Sequence, residues 1–152
     1  STGSLGHGIG LAVGMALANQ IRTTPRKIYT LIGDGEANEG SVWEAVMVAS
    51  SLKLDNLTIL YDDNKSQTRS LQIHDAAERF KSFGCDAWEV PGHEVPAIVG
   101  AFRQPAKTVK VIVADTVKGY GSATLANNTF EWHRKSPPDE AQYQKLVEEL
   151  NA

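Results

Sequence analysis

The stretch Gly33-Asp34-Gly35-Glu36-Ala37-Asn38-Glu39-Gly40 decides the fold, because it joins an apolar strand pattern to a helix pattern. The strand is predicted over 27–32 and the helix over 41–53. A glycine-rich turn at such a junction points the backbone N–H groups of the helix start at an anion. The dinucleotide fingerprint does not fit, since it needs a third glycine where Asn38 stands, and the Gly-Lys-Ser/Thr of a P-loop is missing.

Asp34 places a carboxylate in this turn, where it would repel a bare phosphate. A divalent cation between the two removes the conflict, since Mg²⁺ uses one or two protein oxygens plus substrate phosphates and water. A second apolar strand is predicted over 57–61, and Asn64 follows it. Ligands of open α/β sheets lie beyond the carboxyl ends of the strands. Each residue alone is an ordinary turn former, but together they favour a metal and diphosphate site.

Strand and helix patterns alternate along the chain, which is typical of βαβ units. The continuous apolar run over 109–114 indicates burial on both faces and hence a parallel sheet. We therefore predict an α/β fold with a doubly wound, mostly parallel sheet and helices on both faces. A short strand is also predicted over 87–90, and the region 119–136 is expected to be irregular.

Four further helices are predicted, over 6–22, 74–83 and 95–103 and after Asp139, which would cap the last one with Gln142 as its partner. In the first helix a small-residue stripe predicts a close neighbour, and Pro25 would end the helix. That stripe is Gly10, Gly14 and Ala18, and the residues expected to be buried are Ile9, Val13, Ala16, Leu17 and Ile21.

The composition excludes several classes of protein. The 152 residues carry a net charge of −3 without a clustered basic patch, so a nucleic-acid partner is not expected. The single cysteine, Cys85, allows neither an internal disulfide nor a cysteine-rich metal site, which favours a reducing, cytoplasmic location. The apolar stretch 5–18 is too short for a membrane span. We expect one domain over 1–152, and a partial one, because the chain opens directly on structured-looking sequence.

Several segments together resemble the thiamine diphosphate enzymes of the transketolase-like family, and most closely the amino-terminal, diphosphate-binding part of a two-subunit transketolase. Gly33-Asp34-Gly35 followed by Asn64 is similar to the family's cofactor signature. The resemblance extends over nearly the whole chain, through Thr2-Gly3-Ser4-Leu5-Gly6-His7-Gly8-Ile9, Lys53-Leu54-Asp55-Asn56-Leu57, Tyr61-Asp62-Asp63-Asn64, Thr116-Val117-Lys118-Gly119-Tyr120-Gly121-Ser122 and Trp132-His133.

The resemblance implies a set of site residues. Asp34, Asn64 and the backbone carbonyl of Ser66 would hold Mg²⁺ or Ca²⁺, and Gly35 would contact the diphosphate. Gly3, Ser4 and Leu5 would line the thiazolium side of the cofactor. His133 would be the catalytic residue, reaching both the diphosphate and the substrate. Glu39 and Glu44 match acids at or near a subunit interface, although a solvated helix face explains them equally well.

Three positions depart from the family's pattern. Residues 66–70 read Ser-Gln-Thr-Arg-Ser where the family reads close to I-T-I-D-G. Arg134 stands where glycine usually follows the histidine, and a cation there could bind a phosphorylated substrate. His7 replaces the usual glutamine.

The implied activity is transfer of a two-carbon ketol unit between sugar phosphates, with thiamine diphosphate and Mg²⁺ as cofactors. The family activates its cofactor with a glutamate on a pyrimidine-binding domain, so we expect a partner subunit or domain, and a homo- or hetero-oligomer, rather than activity from this chain alone. Two alternatives remain open. One is a non-catalytic module of the same fold. The other is a component of a 2-oxo acid dehydrogenase E1 or of a deoxyxylulose phosphate synthase.

Overall fold

A four-stranded parallel sheet forms the centre of the computed structural model, which describes residues 3–23, 26–67 and 71–152. Its strands are β1 (Ile28–Gly33), β2 (Leu57–Asp63), β3 (Asp86–Pro91) and β4 (Lys110–Asp115), in the order β1-β2-β4-β3. Every neighbouring pair is parallel, as predicted. Both ends of every strand lie within two residues of the predicted bounds.

Helices connect the strands and extend the chain beyond the sheet. They are α1 (His7–Ile21), α2 (Gly40–Ser51), α3 (Ala76–Ser82), α4 (Val95–Arg103), α5 (Ala123–Ala126) and α6 (Glu140–Leu150). The first residue of α6 follows Asp139, whose carboxylate accepts a hydrogen bond of 2.9 Å from the backbone N–H of Gln142. The predicted N-cap role of Asp139 is therefore confirmed.

Both faces of the sheet are covered near β4, which confirms the doubly wound α/β architecture. Val111 and Val113 face the main core, where they lie with the apolar residues of α1, α2 and α3. Between them, Ile112 points to the other face and is fully buried, and α4 packs against β3 and β4. Successive side chains of a strand point to opposite faces, so an unbroken apolar run is what a strand covered on both sides requires.

Within the residues that the structure describes, strand β1 packs against the main core on one face and is largely exposed on the other. Ile32 is buried in the main core, whereas Tyr29 and Leu31 on the opposite face are 58% and 68% exposed. The ring of Tyr29 contacts Phe102 of α4 edge-on, with the ring centroids 5.8 Å apart. Tyr29 and Leu31 together form a largely exposed surface at the edge of the sheet. We call this surface the open face of β1.

Helix α1 packs against β1 and α2 through a narrower stripe than the sequence suggested. Ile9, Val13 and Ala16 are buried as predicted, and Ala12 joins them. Ile21 was expected in this stripe, but it is 73% exposed because it lies in the last turn, past the edge of the core. The expectation for Ile21 is therefore wrong.

The small-residue stripe of α1 was predicted to have a close neighbour, and none is found among the residues that the structure describes. A Cβ built at Gly10 or Gly14 would meet nothing within 4 Å among the described residues. Pro25, which was expected to end the helix, lies outside the described residues; α1 itself ends at Ile21.

The region 119–136 contains more regular structure than predicted. It includes the single turn of α5 and a 3-10 turn over Glu131–His133. Ser122 caps α5 by accepting a hydrogen bond of 3.2 Å from the backbone N–H of Leu125. Such short turns lack the apolar periodicity from which longer helices are predicted.

Cys85 is a buried, free thiol, 6% exposed, as a small core residue would be. Burial, aided by the negative charge of Asp86, raises its pKa to about 12. Cys85 therefore stays protonated and is no nucleophile. In the part of the chain that the structure describes, no helix combines the length and the apolar character needed to cross a membrane.

Candidate cofactor site

The carboxyl ends of β1 and β2 meet at one edge of the sheet and bring the two predicted site segments together. Gly33 of β1 is paired with Asp62 of β2. One residue further, the backbone N–H of Asp34 donates a hydrogen bond of 3.1 Å to the carbonyl oxygen of Asp62. Asp34 and Asn64 therefore leave the sheet side by side, as the sequence predicted.

The carboxylate of Asp34 is 6% exposed and organises the turn around it. Its Oδ1 accepts hydrogen bonds from the backbone N–H of Gly35 at 2.7 Å and from the hydroxyl of Ser66 at 2.5 Å. Its Oδ2 accepts a weaker one, at 3.2 Å, from the backbone N–H of Gln67. A buried charge has to be satisfied in this way, and the three donors come from both segments of the candidate site.

Asn64 and Ser66 complete the predicted set of oxygen donors. The side-chain Oδ1 of Asn64 accepts a hydrogen bond of 3.0 Å from the backbone N–H of Ser66, and the hydroxyl of Ser66 reaches Asp34. The chain can fold back in this way because Lys65 adopts a left-handed conformation, with φ of 59°. Non-glycine residues rarely adopt this conformation.

Lys65 holds the outer side of this turn. It forms ion pairs with Asp63 and, at 3.2 Å, with Asp115 at the end of β4. Burial by itself lowers the pKa of Lys65, but the hydrogen bonds to Asp63 and Asp115 outweigh that effect and raise the pKa above its usual value. The ammonium group therefore remains charged and is directed towards the sheet edge rather than towards Asp34.

Two residues at this edge were missed by the sequence analysis. The carboxylate of Asp62 accepts a hydrogen bond of 2.7 Å from the side-chain amide of Asn64 and another of 2.5 Å from the hydroxyl of Thr116. A signal for the first contact was present, since residues two apart in a strand point to the same face. The second contact joins β2 to the residue that follows β4, and no local pattern reveals it.

Gly35 lies under the side chain of Gln67. A Cβ at position 35 would come within 2.5 Å of Nε2 of Gln67 and 3.3 Å of its Cδ. The backbone of Gly35 is ordinary right-handed helix, with φ of −66°. This glycine is therefore explained by the space above it and not by an unusual conformation. Gln67 was not among the predicted site residues.

Two clefts flank the Asp34–Ser66 contact. One, of about 310 Å³, is lined by Asp34, Gln67 and the residues that lead into α3. The other, of about 260 Å³, is lined by Ser66, by residues 127–131 and by His133. The predicted catalytic residue His133 thus shares a cleft with Ser66, but Asp34 lines the other cleft. His133 is exposed in the 3-10 turn over Glu131–His133.

The segment with Gly3, Ser4 and Leu5 is exposed and leads into a tethered glycine. The backbone N–H of Gly6 donates a hydrogen bond of 2.9 Å to the carboxylate of Glu36, and the carbonyl oxygen of Gly6 accepts one of 3.1 Å from the hydroxyl of Ser41. These contacts hold the end of the segment against the turn that carries Gly35. Thr2, which belongs to a matching family motif, and residues 68–70, which belong to the segment that departs from the family's pattern, lie outside the described residues.

The remaining residues singled out in the sequence lie on the surface of the described chain. Glu39 and Glu44 are both exposed, which is compatible with either interpretation of them. Arg134 is exposed directly after His133. The ring Nδ1 of His7 lies 3.0 Å from the carbonyl oxygen of Leu5, a local contact within the same segment.

The oxygen donors at the sheet edge fit a magnesium–diphosphate complex better than a metal held by protein alone. Among the described residues, no three His, Cys, Asp or Glu side chains converge to hold a metal ion. One carboxylate, one amide oxygen and one backbone carbonyl leave coordination positions for phosphate oxygens, as Mg²⁺ sites with phosphate ligands do. The cleft that Asp34 and Gln67 line, of about 310 Å³, lies next to these oxygens and would hold such a group.

The open parallel sheet with helices on both faces defines an α/β protein, and the candidate site lies at the carboxyl ends of its strands, where ligands of such sheets bind. Comparison with known families makes this more specific. Residues 1–146 match the family described as transketolase, thiamine diphosphate binding domain. The chain belongs to that family.

Relatives with assigned names point the same way. The chain is 38% identical to one of the subunits of apulose-4-phosphate transketolase from Actinobacillus succinogenes, over 99% of this chain and 56% of that protein. It is 39% identical to a 6-deoxy-6-sulfo-D-fructose transketolase subunit of a Clostridium species, over 81% of this chain and 48% of that protein. The chain thus spans about half the length of these relatives.

The fold is shared with solved transketolases. A crystal structure of transketolase from Campylobacter jejuni superimposes with a TM-score of 0.83 at 27% identity, covering 99% of this chain and 26% of the other. The predicted thiamine diphosphate-binding fold is therefore confirmed.

Proposed function

We propose that this chain is the diphosphate- and metal-binding part of a transketolase-type enzyme, which transfers a two-carbon ketol unit between sugar phosphates. The observation that carries the proposal is the meeting of Asp34, Asn64 and Ser66 around one hydrogen-bonded turn beside Gly35. Two relatives named as transketolase subunits add support.

In this proposal each residue has a defined task. Asp34 and Asn64 offer side-chain oxygens, and Ser66 its backbone carbonyl, to Mg²⁺ or Ca²⁺. Gly35 lets the diphosphate approach the backbone, and Gly3, Ser4 and Leu5 line the thiazolium side. When bound, thiamine diphosphate would supply the nucleophilic carbon that this transfer requires.

His133 is the proposed catalytic residue. It lines the cleft that it shares with Ser66, where it would donate a hydrogen bond to a phosphate oxygen or to a substrate oxygen. His133→Ala is expected to lower kcat more than it lowers cofactor affinity.

The proposal includes a partner. A protein that supplies a pyrimidine-binding domain would complete the site, in a homo- or hetero-oligomer located in the cytoplasm. Relatives of about twice this length that are named as subunits agree with this. Neither nucleic acid nor a membrane is a proposed partner.

Arg134 is a proposed contact for the anionic end of the substrate. It is exposed immediately after His133, and the names of both relatives specify a substrate with an anionic phosphate or sulfo group. Arg134→Gly should raise KM for a sugar phosphate several-fold and leave the Kd of thiamine diphosphate unchanged. Equal losses in both constants would contradict this role.

A turnover assay with the partner present tests the reaction itself. Ketose phosphate and pyruvate are offered separately, with Mg²⁺ and thiamine diphosphate. The proposal expects transfer from the ketose phosphate to an aldose phosphate and no decarboxylation of pyruvate. Consumption of pyruvate would favour a 2-oxo acid dehydrogenase or deoxyxylulose phosphate synthase, and cofactor binding without either reaction would favour a non-catalytic module.

A further inference from the structure

The side-chain amide of Asn64 has two different ends, and only one of them can bind a cation. Its Oδ1 has lone pairs for a metal, whereas its Nδ2 carries two hydrogens and repels one. In the structure, Nδ2 donates a hydrogen bond of 2.7 Å to Oδ2 of Asp62. A carboxylate only accepts hydrogen bonds, so Asp62 can face only the Nδ2 end of this amide.

Asp62 is itself fixed at three points. Its Oδ1 accepts a hydrogen bond from the hydroxyl of Thr116, and its backbone carbonyl accepts one of 3.1 Å from the N–H of Asp34. Thr116 is in turn held by a hydrogen bond of 3.3 Å from its N–H to the carbonyl oxygen of Asp63. Asp62 is thus tied to both predicted metal-binding segments and to the end of β4.

We propose that Asp62 is a positioning residue, which turns Oδ1 of Asn64 towards the cation by holding Nδ2. The inference rests on the proposed function, since it assigns a task towards the same cation. Partners of this kind orient metal ligands in many sites, and their loss typically lowers metal affinity or activity by 10–100-fold.

The neighbouring carboxylate separates positioning from simple attraction between charges. Asp63 lies on the same strand end and carries the same charge, but it is paired with Lys65 and not with Asn64. Any carboxylate near the site attracts Mg²⁺, so charge alone predicts similar effects at both positions. Positioning predicts an effect that depends on hydrogen bonding at Asp62 only.

Two substitutions at position 62 remove the same charge but differ in hydrogen bonding. Asp62→Asn keeps an oxygen that can accept from Asn64, because the hydroxyl of Thr116 can rotate and accept instead of donating. Asp62→Leu has a similar size and no acceptor. We expect Asp62→Leu to bind Mg²⁺ roughly 10–100-fold more weakly than Asp62→Asn, and Asp63→Leu to match Asp63→Asn.

The measurement is a calorimetric titration of Mg²⁺ into the complex of the chain and its pyrimidine-domain partner, at saturating thiamine diphosphate. Equal affinities for Asp62→Leu and Asp62→Asn overturn the inference alone. An unmodified complex that binds the cofactor without any need for Mg²⁺ overturns the proposed function, and this inference with it.

An exchange of the two side chains provides a readout that needs no cofactor. Asn64→Asp alone replaces the 2.7 Å hydrogen bond with two carboxylates that repel each other. We therefore expect this variant to have a lower Tm. Adding Asp62→Asn reverses the direction of the hydrogen bond and still leaves an acceptor for Thr116. The double variant should regain both the Tm and the Mg²⁺ affinity, and a double variant no better than Asn64→Asp overturns the inference.

Discussion

At the scale of single residues, the candidate site contains a glycine, Gly35, that is explained by the limited space next to its Cα and not by its backbone conformation. The backbone of Gly35 would accept any residue, but a Cβ there would strike the amide of Gln67. Gln67 is a flexible side chain and can move aside at little cost to the fold. The space it would then enter is the cleft that it lines with Asp34.

Gly35→Ala is therefore expected to separate stability from cofactor binding. The Tm should stay the same or rise slightly, because alanine restricts the unfolded chain more than glycine does. The Kd of thiamine diphosphate, measured by calorimetry with Mg²⁺ present, should rise because the methyl group and the displaced amide crowd the diphosphate.

Gly40→Ala is the matched control, since a Cβ at that first residue of α2 would meet nothing within 4 Å. It should raise the Tm slightly for the same reason and leave the cofactor Kd unchanged. An unchanged cofactor Kd in Gly35→Ala would show that the diphosphate does not lie over this glycine.

At the scale of secondary-structure elements, one carboxylate attaches α6 to the region that leads to His133. Glu149 near the end of α6 accepts hydrogen bonds from the hydroxyl of Ser122 at 2.5 Å and from both the N–H and the hydroxyl of Thr124 at 3.0 and 2.6 Å. The hydrogen bond from Ser122, followed by those from Thr124, lowers the pKa of Glu149 to about 2.

This attachment should be sensitive to acid. A carboxyl group with a lowered pKa stabilises the folded state above its unfolded pKa, near 4.5, and that contribution disappears as the pH falls towards about 2. The protection factors of the α6 amides, which are the exchange rates corrected for the intrinsic effect of pH, should therefore fall as the pH is lowered from 4.5 towards 2. Glu149→Gln should exchange faster at neutral pH and lose much of this acid dependence.

Glu148→Gln provides the control, because Glu148 is the neighbouring acid on the same helix. It should exchange like the unmodified chain at every pH. An acid dependence that survives in Glu149→Gln would mean that another group attaches α6.

Long apolar elements and their strand-end residues could be predicted from the sequence, whereas side-chain contacts across elements could not. The strands over 57–61 and 109–114 are found because an apolar run carries its own signal, and the edge that β1 and β2 share brings Asn64 beside Asp34. The exposure of Ile21 and the turn of α5 depend on where the core ends, which periodicity does not report.

The candidate site shows the same division. Sequence reasoning predicted the meeting of Asp34 and Asn64, because both follow parallel strands. It missed the hydroxyl of Ser66, since the resemblance concerns only the carbonyl of that residue. It also missed Thr116, whose contact with Asp62 joins residues 54 positions apart.

At the scale of the whole molecule, the open face of β1 leaves apolar surface uncovered within the described chain. Tyr29 and Leu31 are both more than half exposed. Exposed apolar patches of this kind promote association or mark an interface.

Leu31→Glu should therefore reduce concentration-dependent association of the 152-residue chain, as measured by sedimentation velocity. Its urea midpoint should change little, because Leu31 is already 68% exposed and loses few contacts. Ile32→Glu is the opposing control, since Ile32 is buried in the main core and this change should destabilise the fold. If Leu31→Glu associates as strongly as the unmodified chain, the surface responsible for self-association lies elsewhere.

The cation bridge between Asp34 and a diphosphate is tested most directly by titrating thiamine diphosphate into the complex of the chain and its partner, with and without Mg²⁺. We expect binding that requires Mg²⁺ and that weakens by more than roughly 100-fold in Asp34→Ala, since even the outer partners of a metal ligand are worth 10–100-fold. Asp55 is exposed and precedes β2, at the opposite end of the sheet from the candidate site. The control variant Asp55→Ala should therefore bind thiamine diphosphate as tightly as the unmodified chain. Binding by Asp34→Ala as tight as that of the unmodified chain would contradict the bridge.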